Sequence, residues 1–302
     1  MKNGIKFHGV VVPMVTPITP AGELDFAAVD RLVDSLLAGG VEGVFVLGTT
    51  GEGASVPRAT RRQLVERAVR RVAKRALVYA GAGDTHPEAV VAGNEYFQVG
   101  ADVVVCRPPI SFPPEQLTSL YQNLLEGLNG PLVIYNIPAT TNVSIPLDLM
   151  EKFAGHPKLA GVKDSENNPQ RIEELLKRFG GRKDFSVFIG VGALMEKGLK
   201  LGADGIVPSV GNLIPEICKN LCDSAQNGNW PEADNYFLQM NAVAALYQKG
   251  RTLNESLSVL KAALHIRGLC APHVLPPLKP LSENELKKLR EEMSHLHLLN
   301  GK

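Results

Sequence analysis

Short apolar runs alternate with amphipathic segments along most of the chain. The runs contain few polar residues, which is typical of strands that are covered on both faces of a parallel sheet. We predict strands at residues 9–15, 42–47, 76–81, 102–106, 131–135, 159–163, 186–189 and 204–208. Between the first two, residues 29–37 carry an apolar stripe at helical spacing, and Asp25 is a plausible N-cap before it. This pattern predicts an α/β fold.

A weak internal repeat supports the same architecture. Segments 40–46, 100–105 and 202–207 each begin with a glycine, continue through a small or β-branched residue and an acid, and end in an apolar run. The glycine can adopt the left-handed conformation that ends a helix, and the apolar run is the next strand. Eight strands that alternate with helices favour a closed (β/α)8 TIM barrel, whose active site lies at the C-terminal strand ends.

The strand pattern stops near residue 230. Residues 231–249, 252–267 and 282–299 are predicted to form three helices, and Thr252 and Ser282 each stand three residues before a glutamate, as in a capping box. We therefore predict a barrel at residues 1–230 and a C-terminal three-helix extension at residues 231–302. The extension is too small to hold much core of its own, so we expect it to be part of one unit with the barrel.

The composition excludes some classes of protein but does not indicate a function. Of 302 residues, 44% are hydrophobic and 21% are charged, and the net charge is +1. This charge balance does not indicate binding to a nucleic acid or to an anionic membrane. Residues 1–6 lack the apolar core of a signal peptide, and no uncharged stretch is long enough to span a bilayer. The four cysteines lack a disulfide-framework pattern, so we expect a cytoplasmic protein, with no metal.

Candidate chemistry lies at the ends of two predicted strands. Tyr135 ends the strand at 131–135, and Lys163 ends the strand at 159–163. An amine held where a barrel strand opens into the active-site face can lose its proton and attack a ketone. Taken singly, Lys163 would be an exposed strand-end lysine and Tyr135 a core tyrosine. Lys261 is a rival amine, but its place in a predicted helix indicates a packed stem with its head in solvent.

The second strand runs into a glycine-rich loop, LGTTGEG at residues 47–53. Glycines let the backbone approach a ligand closely, and successive N–H groups can form an anion-binding nest. A simple glycine turn is the structural alternative. The loop lacks the Lys-Ser/Thr ending of a phosphate-binding P-loop, so a carboxylate fits it better than a polyphosphate.

Three motifs together resemble one known family. GTTGE at 48–52, YNIP at 135–138 and GVKD at 161–164 occur in the order, spacing and strand-end positions of the dihydrodipicolinate synthase / N-acetylneuraminate lyase family. The segments PMVTP at 13–17 and GIVPS at 205–209 are also similar to that family, and the resemblance covers nearly the whole chain. Members are pyruvate-dependent class I aldolases, so the resemblance implies a carbon–carbon lyase that needs no cofactor.

The resemblance also implies roles for individual residues. Lys163 would form a Schiff base with pyruvate or another 2-keto acid, whose protonated imine is an electron sink. Tyr135 would shuttle protons, and Thr49 would hydrogen-bond Tyr135. The remaining predicted residues would bind substrate: Thr50 and Gly48 in the glycine-rich loop, Thr140, Gly190 and Val207.

Two departures from the synthase branch concern the second substrate. That branch has an arginine shortly after the YNIP-like motif, whereas Thr140 occupies the place here. It also has a tyrosine after strand four that crosses a subunit interface, whereas segment 106–112 here has none. Arg107 could meet a distal carboxylate or hydroxyl, but an exposed arginine is the commoner case. The segment 273–277 is similar to that of 2-keto-3-deoxy sugar-acid aldolases.

These observations leave several functions open. The first is a Schiff-base aldolase that cleaves or forms a 2-keto-3-deoxy sugar acid, with pyruvate and an aldehyde as its small-molecule partners. The alternatives are 4-hydroxy-tetrahydrodipicolinate synthase, which condenses pyruvate with aspartate semialdehyde, and a related dehydratase. A non-catalytic keto-acid sensor is a third reading, although a binding protein has no need for a strand-end amine. The resemblance also implies a homotetramer, a dimer of dimers.

Overall fold

Parallel strands close into a barrel in the computed structural model, which describes residues 6–83 and 86–299. The strands are β1 Gly9–Pro13, β2 Gly43–Val46, β3 Leu77–Gly81, β4 Val103–Cys106, β5 Leu132–Asn136, β6 Leu159–Asp164, β7 Ser186–Ile189 and β8 Gly205–Ile206. Each strand pairs in parallel with its sequence neighbours, and β8 pairs with β1. The predicted TIM barrel is confirmed. The first and last strands are shorter than the apolar runs that predicted them.

Helices follow the strands as expected. Those in the described part of the chain are α1 Phe26–Ala38, α2 Arg58–Val72, α3 His86–Gln98, α4 Leu117–Gly127, α5 Pro138–Thr141, α6 Leu147–Phe153, α7 Pro169–Phe179, α8 Met195–Lys200, α9 Pro215–Gln226, α10 Trp230–Gln248, α11 Leu253–Ile266 and α12 Glu283–His295. The three predicted C-terminal helices are α10 to α12. Helix α12 ends four residues before the predicted limit of 299.

Local signals in the sequence act as expected at the helix ends. The Asp25 side chain accepts a 2.9 Å hydrogen bond from the Ala28 N–H and caps α1. Both predicted capping boxes form, at the starts of α11 and α12. Gly40, Gly100 and Gly202 adopt φ values of 77°, 99° and 90°, the left-handed conformation that ends a helix before the next strand.

Two apolar layers hold the fold together. One lies between the strands and the surrounding helices, and the other fills the barrel interior. The interior layer includes Phe7, Val11, Phe45, Tyr79 and Phe188, so the barrel is a packed core and not a channel. Tyr135 belongs to this layer, and Lys163 is its register partner on the neighbouring strand. The predicted amine and phenol therefore lie side by side at the top of the barrel.

The remaining sequence expectations concern thiols and membranes. All four cysteines are buried and free of disulfides. No helix among the described residues combines the length and the apolarity needed to cross a bilayer.

Candidate active site

A cavity of about 320 Å³ opens at the C-terminal ends of the strands. Its inner wall comes from the C-terminal ends of β2, β3, β4 and β5 and the residues that follow them, among them Gly48, Thr49, Tyr135 and Thr140. Its outer wall comes from the C-terminal extension, which contributes the start of α11 and residues 277–278. A ligand in this cavity would contact both parts of the chain.

Lys163 lies below this cavity, in a narrow apolar space that Val207 also lines. Phe45 and Val105 line both the cavity and the lower space, whereas Tyr135 lines the cavity. The Lys163 amine lies 3.9 Å from the centre of the Tyr135 ring and 5.1 Å from that of Phe45, where aromatic faces attract a cation. Only 6% of Lys163 is exposed, so the expectation for an isolated strand-end lysine does not hold here.

Several polar side chains surround the Tyr135 hydroxyl. It lies 3.5 Å from the Thr49 hydroxyl, and it also has hydrogen-bond interactions with Lys163 and Ser165. Burial alone would raise the pKa of Tyr135, but the Lys163 charge and these hydrogen bonds outweigh burial and lower the pKa. A phenol with a lowered pKa can accept and return a proton more readily.

Two backbone N–H groups of the glycine-rich loop have no hydrogen-bond acceptor among the described residues. Among the described residues, neither the Thr49 N–H nor the Thr50 N–H has a hydrogen-bond acceptor, whereas the Glu52 and Gly53 N–H groups bond within the loop. Thr50 is buried and lines neither the cavity nor the space around Lys163. Two adjacent N–H groups of this kind can hold a carboxylate.

Two residues beside Lys163 constrain its side chain. A Cβ atom added to Gly190 would lie 2.1 Å from Ser165 Oγ and 3.0 Å from Lys163 Cε, so a larger residue at position 190 would displace both side chains. Gly190 is one of the predicted site residues, whereas Ser165 is not. Its position in the sequence could have indicated a role in the site, because Ser165 is the first polar residue after the strand that carries Lys163.

A buried polar network fixes the ends of β5 and β6. The Asn136 amide donates to Asp164 Oδ2 at 3.0 Å and to Glu166 Oε2 at 3.1 Å. Arg171, on α7, donates to Asp164 Oδ2 at 2.8 Å. Asp164 is fully buried, and a buried carboxylate paired in this way resists movement of its strand. The network thus positions Tyr135 and Lys163, each of which precedes one of its members in the chain.

A second buried ion pair ties the glycine-rich loop to the C-terminal extension. Lys261 Nζ donates to Glu52 Oε1 at 2.6 Å, and the Leu275 N–H donates to Glu52 Oε2 at 2.6 Å. The side chains of Lys261 and Glu52 are 1% and 3% exposed. The prediction that the Lys261 head would reach solvent is therefore wrong. Its amine is held by a carboxylate, and Lys261 does not line the cavity.

Residues predicted to contact the second substrate differ in their surroundings. Thr140 lines the cavity, and its hydroxyl donates to the Ile137 carbonyl at 3.3 Å. Arg107 also lines the cavity and is half-buried, so the expectation of an ordinary surface arginine is wrong. Ser111, which lies in the segment that lacks the tyrosine, is exposed.

Known proteins resemble this chain over nearly its whole length. Residues 6–296 match the model of the dihydrodipicolinate synthetase family. A 4-hydroxy-tetrahydrodipicolinate synthase of Gluconacetobacter diazotrophicus is 31% identical, over 97% of this chain and 98% of the relative. A putative 2-dehydro-3-deoxy-D-gluconate aldolase of Escherichia coli, YagE, is 26% identical over 99% of this chain and 100% of the relative. The crystal structure of YagE in complex with pyruvate has a TM-score of 0.90 at 26% identity and covers 97% of this chain and 99% of its own.

Fold, site and relatives together define an enzyme of the aldolase or lyase class on a TIM barrel. More specifically, the chain belongs to the dihydrodipicolinate synthetase family. The family resemblance inferred from the three motifs is thereby confirmed.

Proposed function

We propose that the protein forms a Schiff base between Lys163 and a 2-keto acid such as pyruvate. The observation that carries this proposal is the buried Lys163 amine beside a tyrosine of lowered pKa, below a cavity that the glycine-rich loop helps to line. The neutral amine attacks C2 of the keto acid, and loss of water gives the iminium. The N–H groups of Thr49 and Thr50 bind the keto-acid carboxylate.

The iminium makes carbon–carbon chemistry accessible. Loss of a C3 proton gives an enamine, which attacks the carbonyl carbon of an aldehyde while Tyr135 donates a proton to the aldehyde oxygen. Water then hydrolyses the new iminium and returns the amine to Lys163. In the cleavage direction the same steps run in reverse, and Tyr135 removes the proton from the C4 hydroxyl.

For the substrate, we propose a 2-keto-3-deoxy sugar acid. The absence of an arginine at 139–141 and of a tyrosine at 106–112 supports this choice, as does the similarity to YagE. The second candidate is 4-hydroxy-tetrahydrodipicolinate synthase, which the name of the Gluconacetobacter diazotrophicus relative favours. Turnover of pyruvate with aspartate semialdehyde, measured beside turnover with glyceraldehyde, distinguishes the two.

Reductive trapping tests the chemistry without the second substrate. The enzyme is incubated with pyruvate and sodium borohydride, and the modified peptide is identified by mass spectrometry. We expect a reduced pyruvyl adduct on Lys163. The absence of an adduct would contradict the proposed chemistry and would favour a keto-acid sensor.

Tyr135→Phe is expected to lower kcat by about 10²–10⁴-fold, the usual contribution of a positioned general acid or base. The phenyl ring keeps the packing against Lys163 but cannot carry the proton. Steady-state turnover measures the effect. Tyr121→Phe is a matched control, because it also removes a buried hydroxyl but one that has no hydrogen-bond partner among the described residues. A wild-type kcat in Tyr135→Phe would show that Tyr135 takes no part in the mechanism.

Gly190→Ala is expected to slow pyruvate trapping by about 100-fold, because displacement of a reacting group by about 1 Å has that order of effect. The new methyl group would push Ser165 and the Lys163 stem apart. Trapping is measured as adduct formed per unit time. Gly192→Ala is the control, since a Cβ there meets nothing within 4 Å. Equal trapping rates in the two variants would show that Lys163 tolerates the crowding.

A further inference from the structure

Arg107 is built into the wall of the cavity. It follows β4 directly and is half-buried, and it lines the cavity together with Thr140 and Tyr135. A Cβ atom on Gly83 would lie 3.2 Å from Arg107 Cγ, so a side chain at position 83 would press on the arginine stem. The short neighbour at 83 thus leaves Arg107 the room to lie along the wall.

The Arg107 guanidinium has N–H donors that remain available to a ligand. Its Nη1 donates to the Pro108 carbonyl at 3.2 Å, and in residues 6–83 and 86–299 no carboxylate forms an ion pair with it. A guanidinium carries five N–H donors, so most of them can face a ligand.

The other charged groups on the wall do not neutralise Arg107. Glu52 is the carboxylate among the described lining residues, and both its oxygens are taken, one by Lys261 and one by the Leu275 N–H. Arg61, which lines the same cavity, is itself a cation and donates its Nε to the Val56 carbonyl at 2.8 Å, so it does not neutralise Arg107 either. The wall therefore favours an anion.

Apolar side chains of the C-terminal extension line the same cavity as Arg107. Leu253 and Leu257 of α11 contribute to it, and so do Pro277 and Leu278. Because such groups lower the local dielectric constant, an ion pair formed there is stronger than it would be in water. The cavity therefore joins a keto-acid site at its floor to a cationic group on its wall.

We propose that the aldehyde partner carries a carboxylate or phosphate at the end remote from its carbonyl, and that Arg107 binds this group. The inference rests on the proposed function and specifies its second substrate. Arg107 would act from β4, whereas the arginine of the synthase branch follows strand five, where Thr140 stands here. A guanidinium suits both anions, because its fork matches the oxygens of either.

The test compares charged aldehydes with neutral partners of similar length. Glyceraldehyde 3-phosphate is paired with glyceraldehyde, and succinic semialdehyde with butyraldehyde, each at saturating pyruvate. We expect kcat/KM to be at least about 10-fold higher for the charged member of one or both pairs, as a charge-assisted hydrogen bond provides. The pair with the larger ratio identifies phosphate or carboxylate as the natural group.

Variants assign the preference to Arg107. Arg107→Met should remove it by lowering kcat/KM for the charged aldehyde about 10–100-fold and leaving the neutral aldehyde unchanged. Arg107→Lys should retain part of the preference, because the charge stays while the fork is lost. Arg62→Met, which changes an exposed arginine of α2, is the matched control and should behave as the wild type.

Two results would overturn the proposal. One is a wild-type enzyme with no preference for charge in either pair, a measurement that needs no variant to fold. The other is an equal loss for charged and neutral aldehydes in Arg107→Met. Pyruvate trapping, which involves no aldehyde, separates these results from a failure of the Schiff-base chemistry, since trapping should be normal in every Arg107 variant.

Discussion

Lys163→Met is expected to abolish pyruvate trapping and to lower kcat/KM by ~10⁴–10⁶-fold, as removal of a covalent nucleophile does elsewhere. Methionine has nearly the length of the lysine stem and suits the space between the Phe45 and Tyr135 rings. The fold should therefore survive, and the loss should come from the missing amine. Trapping with mass spectrometry and steady-state turnover measure the two effects.

The control for this prediction is Lys249→Met, which changes an exposed lysine just after α10 and should trap pyruvate as the wild type does. A Lys163→Met protein that still forms an adduct would show that another amine carries the chemistry. Lys261 is the rival named by the sequence, and its burial against Glu52 makes an adduct there unexpected.

Lys261→Met is expected to destabilise the protein by about 3–5 kcal/mol, the usual effect of removing one partner of a buried ion pair. The Glu52 carboxylate would stay buried with only the Leu275 N–H as a donor. Glu52 has a φ of 55°, a left-handed value that is strained for a residue other than glycine, so the loop depends on its partners. Thermal and urea unfolding measure the loss.

A double variant separates the ion pair from general packing. Glu52→Gln together with Lys261→Met removes both charges and keeps an oxygen that can accept from Leu275 N–H. We expect the double variant to be more stable than Lys261→Met alone, because no unpaired charge remains. The double variant and Lys261→Met alone could instead lose the same amount of stability. That result would show that packing of the lysine stem, and not the charge pair, stabilises this contact. Lys249→Met again serves as the control.

The barrel could be predicted because its signals are local. The strands consist mostly of apolar residues, and glycines such as Gly40 and Gly100 stand where a left-handed residue ends a helix. The limits of the strands were less accurate, because the ladder at β8 ends after two residues while the apolar run continues. Apolar residues beyond the ladder pack in the core without forming strand pairs.

Parts of the site could be predicted for a similar reason. In a parallel barrel the residues at successive C-terminal strand ends are neighbours, so Tyr135 and Lys163 had to meet. Other parts depend on contacts that the sequence does not display. Glu52 and Lys261 are 209 residues apart, and a lysine on a helix is normally placed in solvent. The position of Arg107 was missed because burial of a loop residue depends on its neighbours in space, here Gly83.

The contribution of the C-terminal extension to the cavity wall bears on how such an enzyme diversifies. Residues 253–257 and 277–278 lie within one stretch of 26 residues, whereas the amine and the phenol are encoded far upstream. Exchange of that single stretch between paralogous genes would reshape the entrance while the reacting groups stay intact. Lys261 lies inside the same stretch, so every viable exchange must keep a partner for Glu52. Directed evolution of new aldehyde preferences in this protein has a compact target, with one position held fixed.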